Sequence, residues 1–291
     1  MNLLELLSSD KTPIFLDGAM GTQLGEAGLE MGGQNNVTNP DAVLAVHQQY
    51  ADCGIHLLIT NTLTMNGVNI GSHKVGVDVR EVNLAGARLA RAAVREGQFV
   101  LGDISSTGKM LEPYGKLPED EAFAAFAEQA AILAEGGVDG LIIETMIDLR
   151  EALCALRAAK QTCELPVIAT VSFSTLKNGG RTVMGNTARE CAQALTDAGA
   201  SAVGANCGSL DPSEMAGIVS EMLQATSLPI VAQPNAGRPR MVDKETVFDM
   251  SPADFAAGTR ECLLAGAKLL GGCCGTSPDH IRAMVELLGA A

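Results

Sequence analysis

Two patterns alternate along the chain. Short apolar runs end in polar or glycine positions, and each is followed by a longer stretch whose apolar residues recur at helical spacing. The first pattern fits strands buried on both faces, as in a parallel sheet, and the second fits amphipathic helices. Eight such runs occur: IFLDGAM (14–20), HLLITNT (56–62), FVLGDIS (99–105), LIIETM (141–146), PVIATVSF (166–173), AVGANC (202–207), PIVAQPN (229–235) and AKLLGGCC (267–274). Helix starts are marked at Asn39-Pro40, Asp211-Pro212, Ser251-Pro252 and Ser277-Pro278, where a capping residue precedes a proline at the first helical position.

Eight βα units in 291 residues, with no low-complexity linker, predict one α/β domain over 1–291, a (β/α)8 barrel of the kind that takes ~250 residues. A doubly wound open sheet is the alternative, but its glycine-rich first-turn fingerprint is absent.

Composition narrows the function classes. A hydrophobic content of 47% and a mean hydropathy of +0.18 allow a large core. Twenty Lys and Arg against 34 Asp and Glu leave a formal charge of -14, which repels nucleic acid and anionic membrane surfaces. No apolar run approaches the roughly 20 residues of a membrane span, and the opening MNLLELLSSDK carries Glu5 where a targeting leader would be basic. Eight cysteines in such a chain are expected to be reduced thiols or metal ligands, which points to the cytoplasm.

Barrel chemistry sits at the C-terminal ends of the strands. In chain order these ends carry Asp17-Gly18-Ala19, Thr60-Asn61-Thr62, Asp103, Glu144-Thr145, Asn206-Cys207, Pro234-Asn235 and Cys273-Cys274. Cys207, Cys273 and Cys274 therefore converge on one mouth, and three soft ligands with one exchangeable position form the pattern of a catalytic zinc site. Adjacent residues of a regular strand point to opposite faces, so binding of one ion by both Cys273 and Cys274 requires the strand to end before them. Gly271, Gly272 and Gly275 are expected to supply the backbone freedom for that bend. Cys53, Cys154, Cys163, Cys191 and Cys262 lie in helical or strand-flanking stretches and read as small buried hydrophobes or inert thiols. Asp17 and Glu144 need a cationic partner, and with no Lys or Arg at a strand end a ligand ammonium is the natural one.

The ordered motifs DGAMGT (17–22), TNT (60–62), GDISSTG (102–108), ET (144–145), GRTVMGNT (180–187), GANC (204–207), PNAG (234–237) and GGCCGT (271–276) resemble the homocysteine S-methyltransferase family. The likeness is nearest to the homocysteine-binding module of cobalamin-dependent methionine synthase. It implies a barrel whose Cys207, Cys273 and Cys274 hold a catalytic Zn2+, with Asn235 in the fourth position until substrate displaces it. It further implies that Asp17 and Glu144 hold the homocysteine amino group, and that backbone amides near Gly18 and Ala19, with Asn61, face its carboxylate. The implied donor is methylcobalamin or a related methylcorrinoid carried on a separate protein or domain, with S-methylmethionine as the alternative. Betaine is disfavoured, because a cage for a quaternary ammonium needs aromatic residues and the chain has no Trp and only Tyr50 and Tyr114.

Two readings from other classes remain. GGCCGT before the helix start at Ser277-Pro278 would cradle a phosphate in a zinc-free barrel enzyme. A closed four-ligand site would instead mark a non-catalytic zinc- or thiol-binding protein.

Overall fold

Seven of the apolar runs contain a strand, and the fourth is matched by one that begins a residue earlier, at Gly140. A computed structural model describes residues 1–11, 13–242 and 245–289. Its strands are β1 (Ile14–Phe15), β2 (Leu57–Ile59), β3 (Phe99–Ile104), β4 (Gly140–Met146), β5 (Val167–Val171), β6 (Ala202–Asn206), β7 (Ile230–Gln233) and β8 (Leu269–Leu270). All pair in parallel, in the order β1-β8-β7-β6-β5-β4-β3-β2, and a parallel bridge between Leu16 and Leu57 joins the two ends. With helices between successive strands, this is the expected (β/α)8 barrel.

The four proline-marked helices begin at Pro40, Pro212, Pro252 and Pro278. Asp211 and Ser251 cap as expected, accepting from the amides of Glu214 and Asp254. Asn39 does not: its side-chain amide donates to Asn35 and Thr38, so the start of that helix rests on the proline alone.

The core has two layers. Between sheet and helices lies a large cluster, and a second one fills the barrel with Ile14, Leu16, Leu57, Ile59, Leu101, Ile142, Ile168, Val231 and Leu269. The opening segment belongs to the second cluster. It forms a helix, Leu3–Ser8, closed by a capping box between Asn2 and Glu5, and buries Leu3, Leu6 and Leu7 against the barrel interior. Each such leucine contributes roughly 1.5–3 kcal/mol. An antiparallel pair, Arg240–Val242 with Glu245–Val247, follows β7 and was not foreseen, because each run is three residues long among charges.

His47, within helix Pro40–Ala51, is fully buried and neither ring nitrogen has a partner among the described residues. Burial pulls its pKa from 6.5 to about 3. The unfolded chain therefore binds a proton that the folded chain refuses, and stability falls as pH drops from about 6.5 towards 3, by up to ~1.4 kcal/mol per pH unit. Thermal melts from pH 7 to 5 should show a fall of several degrees that His47→Leu reduces; an unchanged slope in the variant would remove His47 as the cause.

Candidate active site

The C-terminal ends of the strands open into a cavity of about 320 Å³ lined by Asp17, Asp103, Glu144, Cys207, Cys273 and Cys274, among others. Its wall also includes the apolar Met20, Met31, Ile59 and Leu63. A larger hollow of about 470 Å³ lies elsewhere, against Asp78, Arg80, Glu81 and Arg88, and gathers charged groups of helix surfaces instead of a convergent set.

The sulfur cluster forms because two turns bring the chain back on itself. Strand β8 ends at Leu270, before the cysteine pair, as two sulfurs on one side require. The expected role of the glycines is only partly right. Gly275 has φ +78°, a conformation costly for other residues, whereas Gly272 is there for space: a Cβ would lie 2.6 Å from Thr276 Oγ1. From β6, Cys207 enters at φ +56°, and its Sγ lies 3.9 Å from Cys274 Sγ. All three sulfurs fall within 4.8 Å of one another.

These three thiols share their protons. Hydrogen bonding from Cys207 and then Cys273 holds Cys274 down at about 4, while the bonds of Cys273 to Cys207 and Cys274 keep it well above the ordinary thiol value. Cys207, pulled down by Cys273 and up by Cys274 and burial, stands at about 11. The three sulfurs thus hold their protons unequally, and a divalent cation would displace those that remain. Sulfurs on a tetrahedral zinc with bonds of about 2.3 Å lie about 3.8 Å apart, close to the 3.9 Å between Cys207 and Cys274. Asn235 adds to the fit: its Nδ2 donates to Gly208 O at 2.9 Å, and its Oδ1 is buried with no partner among the described residues. The donor set therefore suits zinc.

The other cysteines stand apart from this cluster. Cys53, Cys154, Cys191 and Cys262 are buried, and desolvation raises all four thiols, Cys191 and Cys262 to about 12.

The carboxyl half faces the same cavity. Asp17 accepts from the Ile59 amide at 2.9 Å, and its carbonyl accepts from the Gly272 amide, tying the first turn to the cysteine turn. Burial first, and then the charge of Glu144, raises its pKa well above the usual range. Glu144 is raised to about 8, by burial first and then by Cys207. No lysine or arginine is among the described residues that line the cavity.

Glu144 is aimed by a break in β4. Register shifts between Ile143 and Met146, and Thr145 takes φ +58°, a strained value for a β-branched residue. Asn206, fully buried at the end of β6, holds that break. Its Oδ1 accepts from the Thr145 amide and Thr170 Oγ1, and its Nδ2 donates to Thr145 Oγ1 at 2.7 Å and Glu144 Oε2 at 3.3 Å. The same Nδ2 lies 3.9 Å from Cys273 Sγ, so one side chain bridges the carboxyl and sulfur halves. The motif GANC showed this asparagine, but nothing in its spacing gave it a role.

Three expected carboxylate contacts differ in availability. The Ala19 amide already donates to Thr276 Oγ1, and Asn61 Nδ2 donates to Asn36 Oδ1 and Gly32 O. Each would have to give up a bond to meet a ligand. The Gly18 amide makes no hydrogen bond among the described residues.

A phosphate cradle at Ser277-Pro278 is not supported by the backbone, because the Thr276 amide donates to Cys273 O and the Ser277 amide to His280 Nδ1. No aromatic residue is among the described residues that line the cavity: Tyr50 is buried with its hydroxyl donating to Ala19 O, and Tyr114 is exposed.

Residues 14–288 match the family described as Homocysteine S-methyltransferase. Methionine synthases from Mycobacterium leprae and Mycobacterium tuberculosis are each 29% identical over 287 residues, covering 91% of this chain and 23% and 24% of their own lengths. The chain thus spans about a quarter of the relatives it matches. Among solved structures, the metallated form of the homocysteine methyltransferase MmuM from Escherichia coli superposes with a TM-score of 0.77 at 21% identity, over 97% of this chain and 99% of that one. The oxidized form of the same protein gives 0.79 at 22%, over 98% and 99%. Among the described residues no helix is long and apolar enough to cross a membrane.

Proposed function

Since the chain belongs to the homocysteine S-methyltransferase family, we propose that this cavity binds homocysteine beside a zinc ion and forms methionine, with a methylcorrinoid as donor. The observation that carries the reading is the juxtaposition of three convergent sulfurs with buried carboxyls that meet no lysine or arginine among the described residues of the cavity wall.

Cys207, Cys273 and Cys274 would hold the metal, with Asn235 Oδ1 in the position that substrate takes over. Bound there, zinc supplies the Lewis acidity that keeps the homocysteine sulfur a thiolate at neutral pH, although a free thiol near pKa 8.5 is mostly protonated. Asp17 and Glu144 take the ammonium group, which provides the positive charge that their burial demands. Asn206 fixes Glu144 relative to Cys273, so the amino group and the sulfur of one substrate are placed together before the methyl group arrives. The carboxylate faces the Gly18 amide.

The donor is read from the methionine synthases, whose unmatched length leaves room for a corrinoid-carrying domain; for this chain another domain or a separate protein would carry it. Met31, Met110, Tyr114, Ile147 and Val183 are exposed in the segments that follow β1, β3, β4 and β5, as is Met241 on the antiparallel pair after β7, and they would give the mouth an apolar rim on which such a domain seats.

Calorimetric titration of homocysteine into protein with and without zinc tests the acceptor half. One binding site per chain is expected, present only with the metal. Equal binding without zinc, or none with it, would sink the reading.

A further inference from the structure

One carboxyl in the cavity has no assigned role. Asp103 is the last residue but one of β3, two residues beyond Leu101, which packs inside the barrel, so strand alternation turns Asp103 inward as well. Glu144 stands in the same relation to Ile142 on neighbouring β4, where Asp103 pairs with Ile142. Both side chains, with Asp17, line the cavity.

The Asp103 backbone is clamped on both sides. Its amide donates to Thr60 Oγ1 at 2.9 Å, and its carbonyl accepts from Thr62 Oγ1 at 2.8 Å and Gln129 Nε2 at 3.3 Å. The carboxyl, by contrast, is only 4% exposed and its Oδ1 has no partner among the described residues. A buried carboxyl that served the fold would be met by donors, as Asp17 is met by Ile59. Burial and the charges of Glu144 and Asp17 all disfavour a negative charge here, so the protein tolerates a group that it does not satisfy. An ammonium has three N–H donors, and three carboxyls face the space that the foregoing reading gives to one ammonium.

Resting on that reading, we propose that Asp103 is a third acceptor for the substrate's ammonium group and a determinant of selectivity for a primary amine. It is a binding residue and leaves the sulfur cluster untouched.

The test combines two ligands with three zinc-loaded proteins: wild type, Asp103→Asn and Glu144→Gln. Homocysteine and its deamino analogue, 4-mercaptobutanoate, are titrated into each by calorimetry. Asp103→Asn should weaken homocysteine at least ~10-fold and the deamino analogue less than ~2-fold, because the analogue lacks the group that Asp103 contacts. It should also melt at or above wild type, since it removes an unpaired buried carboxyl. Equal weakening of both ligands, no weakening of either, or a lowered melting temperature or failure to fold would overturn the proposal by making the carboxyl structural or idle. If Glu144→Gln erases the preference for homocysteine while Asp103→Asn keeps it, the Asp103 role falls and the broader reading stands. Should wild type bind neither ligand, both fall.

Discussion

Cys273→Ala should lose zinc and methionine formation together while the barrel remains folded. The sulfur of Cys273 lies within 4.8 Å of those of Cys207 and Cys274, and its bonds with both raise its own thiol well above the ordinary value. Removing it leaves two thiolate donors. Altering even the partners of metal ligands costs 10–100-fold in affinity, so loss of a ligand itself should cost more than ~100-fold. The fold should survive because β8 has ended at Leu270 and its pairing with β1 and β7 does not involve the side chain. Metal analysis after dialysis, with circular dichroism of the same sample, gives the result. Stoichiometric zinc retained in this variant, or in Cys207→Ala or Cys274→Ala, would overturn the ligand assignment.

Glu144→Gln should separate substrate binding from metal binding. The substitution keeps the size of the side chain and a carbonyl oxygen for Asn206 Nδ2, but removes the charge that an ammonium needs. Hydrogen bonds to charged groups are worth about 1.5–3 kcal/mol, so homocysteine affinity should fall roughly 10- to 150-fold. Zinc content should stay near that of wild type, since the glutamate is not one of the three sulfur donors. An unchanged homocysteine affinity would remove its role with the amino group, and loss of zinc would show that the carboxylate supports the metal.

The barrel was legible because its signals are local and repeated. Apolar runs, polar strand ends and proline-marked helix starts recur in chain order, and each is set by burial or capping within a few residues. The cysteine cluster was legible for a related reason: once strands six and eight are placed with one strand between them, their C-terminal ends must meet. What escaped depends on register and on contacts distant in sequence. Asp103 stood at a strand end like the other carboxylates, and only the position of Leu101 inside the barrel turns it towards the cavity. Asn206 gains its importance from Thr145, Thr170, Glu144 and Cys273 on three other segments, which its own motif does not mention. The opening leucines seemed only a short apolar stretch, because their partners lie inside the barrel. Gly272 looked like a hinge, yet its lack of a Cβ makes room for Thr276.

The most direct measurement is methionine formation by zinc-loaded protein given homocysteine, with methylcobalamin and S-methylmethionine offered in separate reactions. The expected result is methionine from methylcobalamin, abolished by Cys273→Ala and restored by no added metal. Turnover on S-methylmethionine alone would overturn the corrinoid donor, and zinc-loaded protein that forms methionine from neither would contradict the assignment of this cavity to methyl transfer.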